Sequence, residues 1–194
     1  QREQIHIAIV GEHVQLEDAY YSVREALVHA ALVHEAEPAF HWIDSRQLAD
    51  GDCSQLRNVQ GIVIPGSSHY KSLDGLVMAA GYARVNGIPF LGLDTGMHAM
   101  IVDFARTIPG LEDADSSEYQ PATAHPVVER IANGDSPGVR KGTIPCRLAA
   151  GTRAAVAFED GLTYERHLHT HELNGHYRAR SEEHTSELQS LRVI

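Results

Sequence analysis

Ile5 to Val10 is a nearly unbroken apolar run that ends at Gly11. A run of this length without polar alternation suits a strand buried on both faces, and such strands belong to parallel sheets covered by helices. The pattern then repeats along the chain. Ala19, Val23, Ala26, Leu27 and Ala30 fall at helical spacing; Phe40 to Ile43 reads as a second strand, and Gly61 to Ile64 as a third, stopped by Pro65-Gly66. The next helix carries Leu73, Leu76, Val77 and Ala80 as its apolar stripe, with Ser72 as N-cap. Pro89 to Leu93 is the fourth strand, and the helix after it has Met97, Met100, Ile101, Phe104 and Ala105 on one face. Strands alternating with helices predict an α/β fold around a mostly parallel sheet, with ligands received where strand C-termini open onto loops. From Thr107 to Val139 the chain is rich in Asp, Ser, Pro and Gly, which predicts loops wrapping the sheet edge. Beyond it, Gly142 to Leu148 and Ala154 to Phe158 read as further strands, antiparallel to the rest. There is no internal repeat and no interdomain linker.

Within this pattern, Phe90-Leu91-Gly92-Leu93-Asp94-Thr95-Gly96-Met97-His98 reads as a buried strand running through a tight turn into a helix, with Asp94 at the apex. Enzymes use that geometry to hold a nucleophile above a sheet, because the sharp turn exposes one side chain and leaves backbone N–H groups to stabilise an oxyanion. Here the apex is a carboxylate. Aspartate tolerates positive φ better than most residues, so the turn can keep its shape, and its charge suits the start of a helix.

Composition narrows the partners. A chain of 194 residues that is 43% hydrophobic can bury one sizeable core, which predicts a single domain. Sixteen Lys and Arg against 26 Asp and Glu give a net charge of -10, which argues against nucleic acid or an anionic membrane surface. Two cysteines, Cys53 and Cys146, are too few for a disulfide framework and lack metal-binding spacing, which fits a reducing cytoplasm. No apolar run approaches the roughly 20 residues of a membrane helix. At the two ends, the chain begins at Gln1 without a methionine, and Arg180-Ser181-Glu182-Glu183-His184-Thr185-Ser186-Glu187-Leu188-Gln189-Ser190 reads as the in-frame translation of a sequencing-adapter oligonucleotide. Residues 180–194 are therefore set aside as an artefactual tail, residues 1–179 are taken as the domain, and the natural chain is expected to continue past about Ala179.

Several segments together resemble the class I glutamine amidotransferase domain of CTP synthase, and more closely the stand-alone proteins related to that C-terminal region. They are Ile7-Ala8-Ile9-Val10-Gly11, Asp18-Ala19-Tyr20, Trp42-Ile43-Asp44-Ser45, Gly61-Ile62-Val63-Ile64-Pro65-Gly66, Ile88-Pro89-Phe90-Leu91-Gly92 and Glu165-Arg166-His167. The similarity runs from about Ile5 to Asn174, with no gap between Pro65 and Asp94. It implies a flavodoxin-like three-layer sandwich and a Cys-His-Glu glutaminase site. In that family the apex residue is a cysteine, whose thiolate attacks the side-chain amide of glutamine. Asp94 occupies that position here. A carboxylate is a poor nucleophile towards an amide and its acyl intermediate would be an anhydride, so the usual thioester route is closed.

The resemblance also assigns the surrounding residues. The family's oxyanion loop has two glycines after proline, where this chain has Gly66 and Ser67; a second position needing positive φ would misdirect an amide there. Thr95 supplies the other oxyanion N–H, followed by Gly96 and Met97 of the same turn. His98 stands in place of a substrate-contacting glutamine, against the plainer reading of a partly buried polar residue. Glu118 matches the acidic anchor for the glutamine amino group, or is a solvated loop carboxylate. Thr170 stands where the family has an arginine for the substrate carboxylate, and loss of that bidentate contact predicts weak glutamine binding. The family's His-Pro-Glu stretch is absent before the tail, and His171 and Glu172 do not take its roles.

His167, His169 and His171 alternate, so on one strand they would share a face suited to a transition metal. No fourth ligand is evident, and neither a metal nor a cofactor is assigned. The leading expectation is an amidotransferase-like module that is not a glutaminase and binds a small, glutamine-like ligand or a partner such as a synthetase domain or subunit. Two alternatives remain open. One is the glutamine-hydrolysing half of a CTP synthase in pyrimidine nucleotide biosynthesis; the chain holds no Gly-x-x-x-x-Gly-Lys-Ser/Thr loop, so the synthetase would lie elsewhere. The other is a hydrolase with Asp94 as base and His98 one helical turn away as its partner.

Overall fold

The computed structural model describes residues 2–16, 18–67, 70–133 and 136–177. The adapter-like stretch 180–194 and the boundary at Ala179 lie outside the described residues. The chain divides into two compact units, Gln1–Asp103 and Phe104–Ile194.

The first unit opens with β1 (Glu3–Gly11), α1 (Tyr21–Val33), β2 (Ala36–Asp44) and the single turn α2 (Ser45–Leu48). It continues through β3 (Gly61–Ile64), α3 (Asp74–Asn86) and β4 (Phe90–Gly92) into α4 (Thr95–Thr107), which carries the chain across the unit boundary. The strands form one sheet in the order β2-β1-β3-β4, and every pairing is parallel. This is the order that a flavodoxin-like sheet takes from its first four strands. Ala8, Ile9 and Val10 of β1 and Ile62 and Ile64 of β3 are at most 1% exposed, which explains why these strands carry no polar alternation.

Close approach packs α3 against α2. A Cβ on Gly75, in the first turn of α3, would lie 1.8 Å from the backbone oxygen of Ser45, so only glycine fits. Ser72 Oγ accepts from the Asp74 amide at 3.0 Å, although the helix starts one residue later than a Ser72 N-cap requires. Gly87, at φ 65, closes the helix in the left-handed conformation. The stripe expected on α1 is only partly realised: Ala19 precedes the helix, Ala26 and Ala30 are exposed, and Ala31 is its buried residue. Alanines bury too little area to fix a helix face, so Val23 and Leu27, both half-buried, do more to set its orientation.

The second unit differs from the sequence-based expectation in two places. The stretch Thr107 to Val139 is not all loop: it holds β5 (Ala114–Ser116), β6 (His125–Arg130), β7 (Ala132–Asn133) and β8 (Ser136–Pro137). Next come β9 (Arg140–Arg147), α5 (Arg153–Phe158), β10 (Leu162–His169) and β11 (His171–Leu173). Ala154 to Phe158 is therefore helical rather than extended. Thr152 Oγ1 caps it by accepting from the Ala155 amide at 3.1 Å, and a short apolar run has no periodicity by which to tell helix from strand. β6 pairs in parallel with β5 and antiparallel with β11, while β9 and β10 form an antiparallel ribbon and β7 and β8 a small hairpin.

Candidate functional site

The turn after β4 is built from glycines on both sides of its apex. A Cβ on Gly92 would lie 2.4 Å from the carbonyl oxygen of Gly96, and a Cβ on Gly96 would lie 2.4 Å from that of Ile64. These contacts let α4 fold back tightly over the ends of β3 and β4. Leu93 N donates to Ile64 O at 2.9 Å and extends the ladder by one residue. The chain then reverses at Asp94, which has φ 51 and an exposed side chain at the carboxyl edge of the sheet. Asp94 is one of three non-glycine residues at positive φ among those described. Left-handed backbone is a strained state for a side chain with a Cβ, tolerated best by Asp and Asn.

The loop after β3 meets this apex. A Cβ built on Gly66 would lie 2.6 Å from Asp94 Cβ and 3.1 Å from its Oδ2, so the carboxylate side chain rests against the Gly66 backbone. Thr95, 2% exposed, donates from Oγ1 to Ser67 O at 3.0 Å, and Tyr70 donates to Pro65 O at 3.1 Å. Neither Gly66 nor Ser67 is among the described residues at positive φ, so a side chain at 67 carries no left-handed strain. The Gly96 amide donates to Leu93 O, and those of Met97 and His98 to Asp94 O. Those three amides shape the turn. His98 is 2% exposed, in keeping with a buried polar residue, while Met97 is half-buried.

In the second unit, Glu118 and Thr170 are brought together through a residue to which the sequence assigned no site role. His171 is 7% exposed, and its Nδ1 lies 3.0 Å from Thr170 Oγ1 and 3.6 Å from Glu118 Oε2. The Glu118 amide donates to Ser116 Oγ at 3.3 Å, which ties the loop to β5. The Glu118 carboxylate thus faces an imidazole. The shared histidine face expected for a metal is broken by the change of strand at Thr170: His167 and His169 stay on β10, with ring centroids 5.1 Å apart, while His171 starts β11. Among the described residues, no group of three His, Cys, Asp or Glu side chains is placed to hold a metal ion. In the sequence His171 stood out beside Thr170 and as the third of the alternating histidines; its contact with Glu118 depends on the pairing of β11 with β6, which no local pattern encodes.

A tight strand-to-helix turn that meets the loop after the neighbouring strand at the carboxyl edge of a parallel sheet is the architecture that defines the class. The model of the class-I glutamine amidotransferase family matches residues 15–187, and the chain belongs to that family. The CTP synthase of Moorella thermoacetica is 45% identical over 180 residues, covering 90% of this chain and 34% of that protein. The CTP synthase of Thermomicrobium roseum is 43% identical over 183 residues, covering 91% of this chain and 33% of its own length. Among solved structures, the glutaminase domain of Trypanosoma brucei CTPS with bound acivicin superposes with a TM-score of 0.82 at 26% identity, over 92% of this chain and 72% of that one. The fold is therefore that of a CTP synthase glutaminase domain, a flavodoxin-like α/β fold with a parallel central sheet. The chain spans about a third of the length of these curated relatives. No helix among the described residues is long and apolar enough to cross a membrane.

Proposed function

We propose that this chain is a CTP synthase-type amidotransferase module in which Asp94 occupies the nucleophile position, so that it binds a small ligand or a partner without hydrolysing glutamine. The observation that carries this reading is the apex itself: Asp94 at φ 51, exposed, with its side chain against Gly66. A turn of this kind presents its side chain to whatever occupies the loop, and a carboxylate there lacks the nucleophilicity of a thiolate towards an amide. The carboxylate is also an anion at a helix N-terminus, where the helix dipole stabilises it. In this reading Gly66, Ser67, Thr95, Gly96 and Met97 are the proposed ligand-facing residues of the first unit, with His98 buried behind them; Glu118 and Thr170 are proposed separately as ligand contacts within the second unit. With a threonine at 170 in place of a guanidinium, free glutamine is held weakly. A synthetase domain or subunit is the proposed partner, and the location is cytoplasmic.

The test is intact-mass spectrometry of the chain incubated with glutamine, alongside titration calorimetry. The expected result is no acyl adduct and a Kd weaker than about 1 mM. An adduct that maps to Asp94 would overturn the proposal.

A further inference from the structure

The ribbon of β9 and β10 places a nucleophile beside a base. In its antiparallel register Cys146 lies opposite Thr163 and His167 opposite Gly142, so Cys146, Thr163, Glu165 and His167 share one face. Gly142 contributes no side chain to that face, which leaves the His167 ring room to reach along the ribbon. His167 Nε2 lies 3.3 Å from Cys146 Sγ, and the sulfur also lies 3.6 Å from Ile144 O. The ring of His169 packs beside that of His167 at 5.1 Å, tilted by 59°. Cys146 and His167 are both half-buried, so a small reagent can reach the sulfur.

We infer that Cys146 and His167 form a thiol–imidazole pair that makes Cys146 a site of disulfide exchange with small oxidised thiols. The imidazole takes the thiol proton, and the thiolate, the reactive form of cysteine, attacks one sulfur of the incoming disulfide. A Cys146–S–S–R bond forms as the R–S–S–R bond breaks. Cys146 is oxidised, and the departing thiolate is reduced and recovers the proton from His167 as R–SH. The incoming disulfide is the oxidant, so atoms and electrons balance. None of the residues proposed for the glutamine-type site takes part.

The other cysteine is a built-in reference. Cys53 is also half-buried, but burial, and after it the negative charge of Asp52, push its thiol up. A raised thiol holds less thiolate at neutral pH and exchanges more slowly. The experiment treats the full chain with oxidised glutathione near neutral pH and follows each cysteine by peptide mass mapping. The expected result is a mixed disulfide on Cys146 at least about tenfold faster than on Cys53. His167→Ala lowers the Cys146 rate about tenfold and leaves Cys53 unchanged, while Leu168→Ala, at a side chain 75% exposed on the opposite face, changes neither. Equal rates at the two cysteines of the unaltered chain would overturn the inference, as would an unchanged Cys146 rate in folded His167→Ala. If circular dichroism shows that variant unfolded, the ratio of the two cysteines in the unaltered chain decides.

Discussion

The two compact units hold their polar groups by different means. In the first, backbone is pressed against backbone, at Gly75 on Ser45 and Gly96 on Ile64, and ionic groups are sunk among apolar strands and helices. In the second, polar groups ride on short strands and ribbons whose faces alternate, as in β10, where Leu162, Tyr164 and Leu168 point outward between half-buried Thr163, Glu165 and His167. The contrast teaches where mutation should hurt: the first unit tolerates almost no added atom at its contacts, while the second unit's exposed polar pairs can be lost cheaply.

The ion pairs test this contrast most strongly. Arg84 donates to Asp103 through Nε at 2.8 Å and Nη2 at 3.2 Å, with the side chains 17% and 8% exposed. Asp103→Ala leaves a guanidinium largely desolvated, and chemical denaturation should show a loss of about 3 kcal/mol. The Arg140–Glu172 pair of the second unit, 47% and 38% exposed, should yield less than about 0.5 kcal/mol to Glu172→Ala. Comparable losses at the two sites would break the comparison.

Glycines sharpen it further. Gly96→Ala forces a methyl into the carbonyl of Ile64 and should cost about 2 kcal/mol, read as a lowered denaturation midpoint. Gly161→Ala in the second unit meets nothing within 4 Å and should stay within about 0.5 kcal/mol.

A smaller effect depends on pH. Asp44 caps α2 by accepting from the Arg46 amide at 3.0 Å, and the side-chain bond from the Arg46 guanidinium, ahead of burial's opposing push, holds its carboxyl below the usual range. A depressed native pKa means that the stabilisation is present above the unfolded carboxylate value and is lost as pH falls through the native one. Asp44→Asn should therefore cost about 1 kcal/mol at neutral pH, and the gap to the unaltered chain should close on acidification below about pH 4. A gap that widens in acid would reverse the assignment.

The legible parts of the molecule were those with a periodicity of their own. β1, β3 and β4 could be read because strands buried on both faces are written as apolar runs, and the elbow at Asp94 because Gly92 and Gly96 frame it. β5 could not be read: Ala-Asp-Ser has no strand signature, and Ser116 is fully buried only because β6 pairs beside it. Ala154 to Phe158 is ambiguous by length alone. At the site, Asp94 followed from local turn chemistry and the roles of Gly66 and Thr95 from the family resemblance, whereas His171 beside Glu118 and His167 beside Cys146 arise from strand pairings between distant segments.

Release of ammonia from glutamine by the purified chain, compared with Asp94→Ala, tests the central claim most directly. The account predicts no release above the buffer background from either protein. Turnover by the unaltered chain that disappears in Asp94→Ala would show that the carboxylate at the apex performs the chemistry denied to it here.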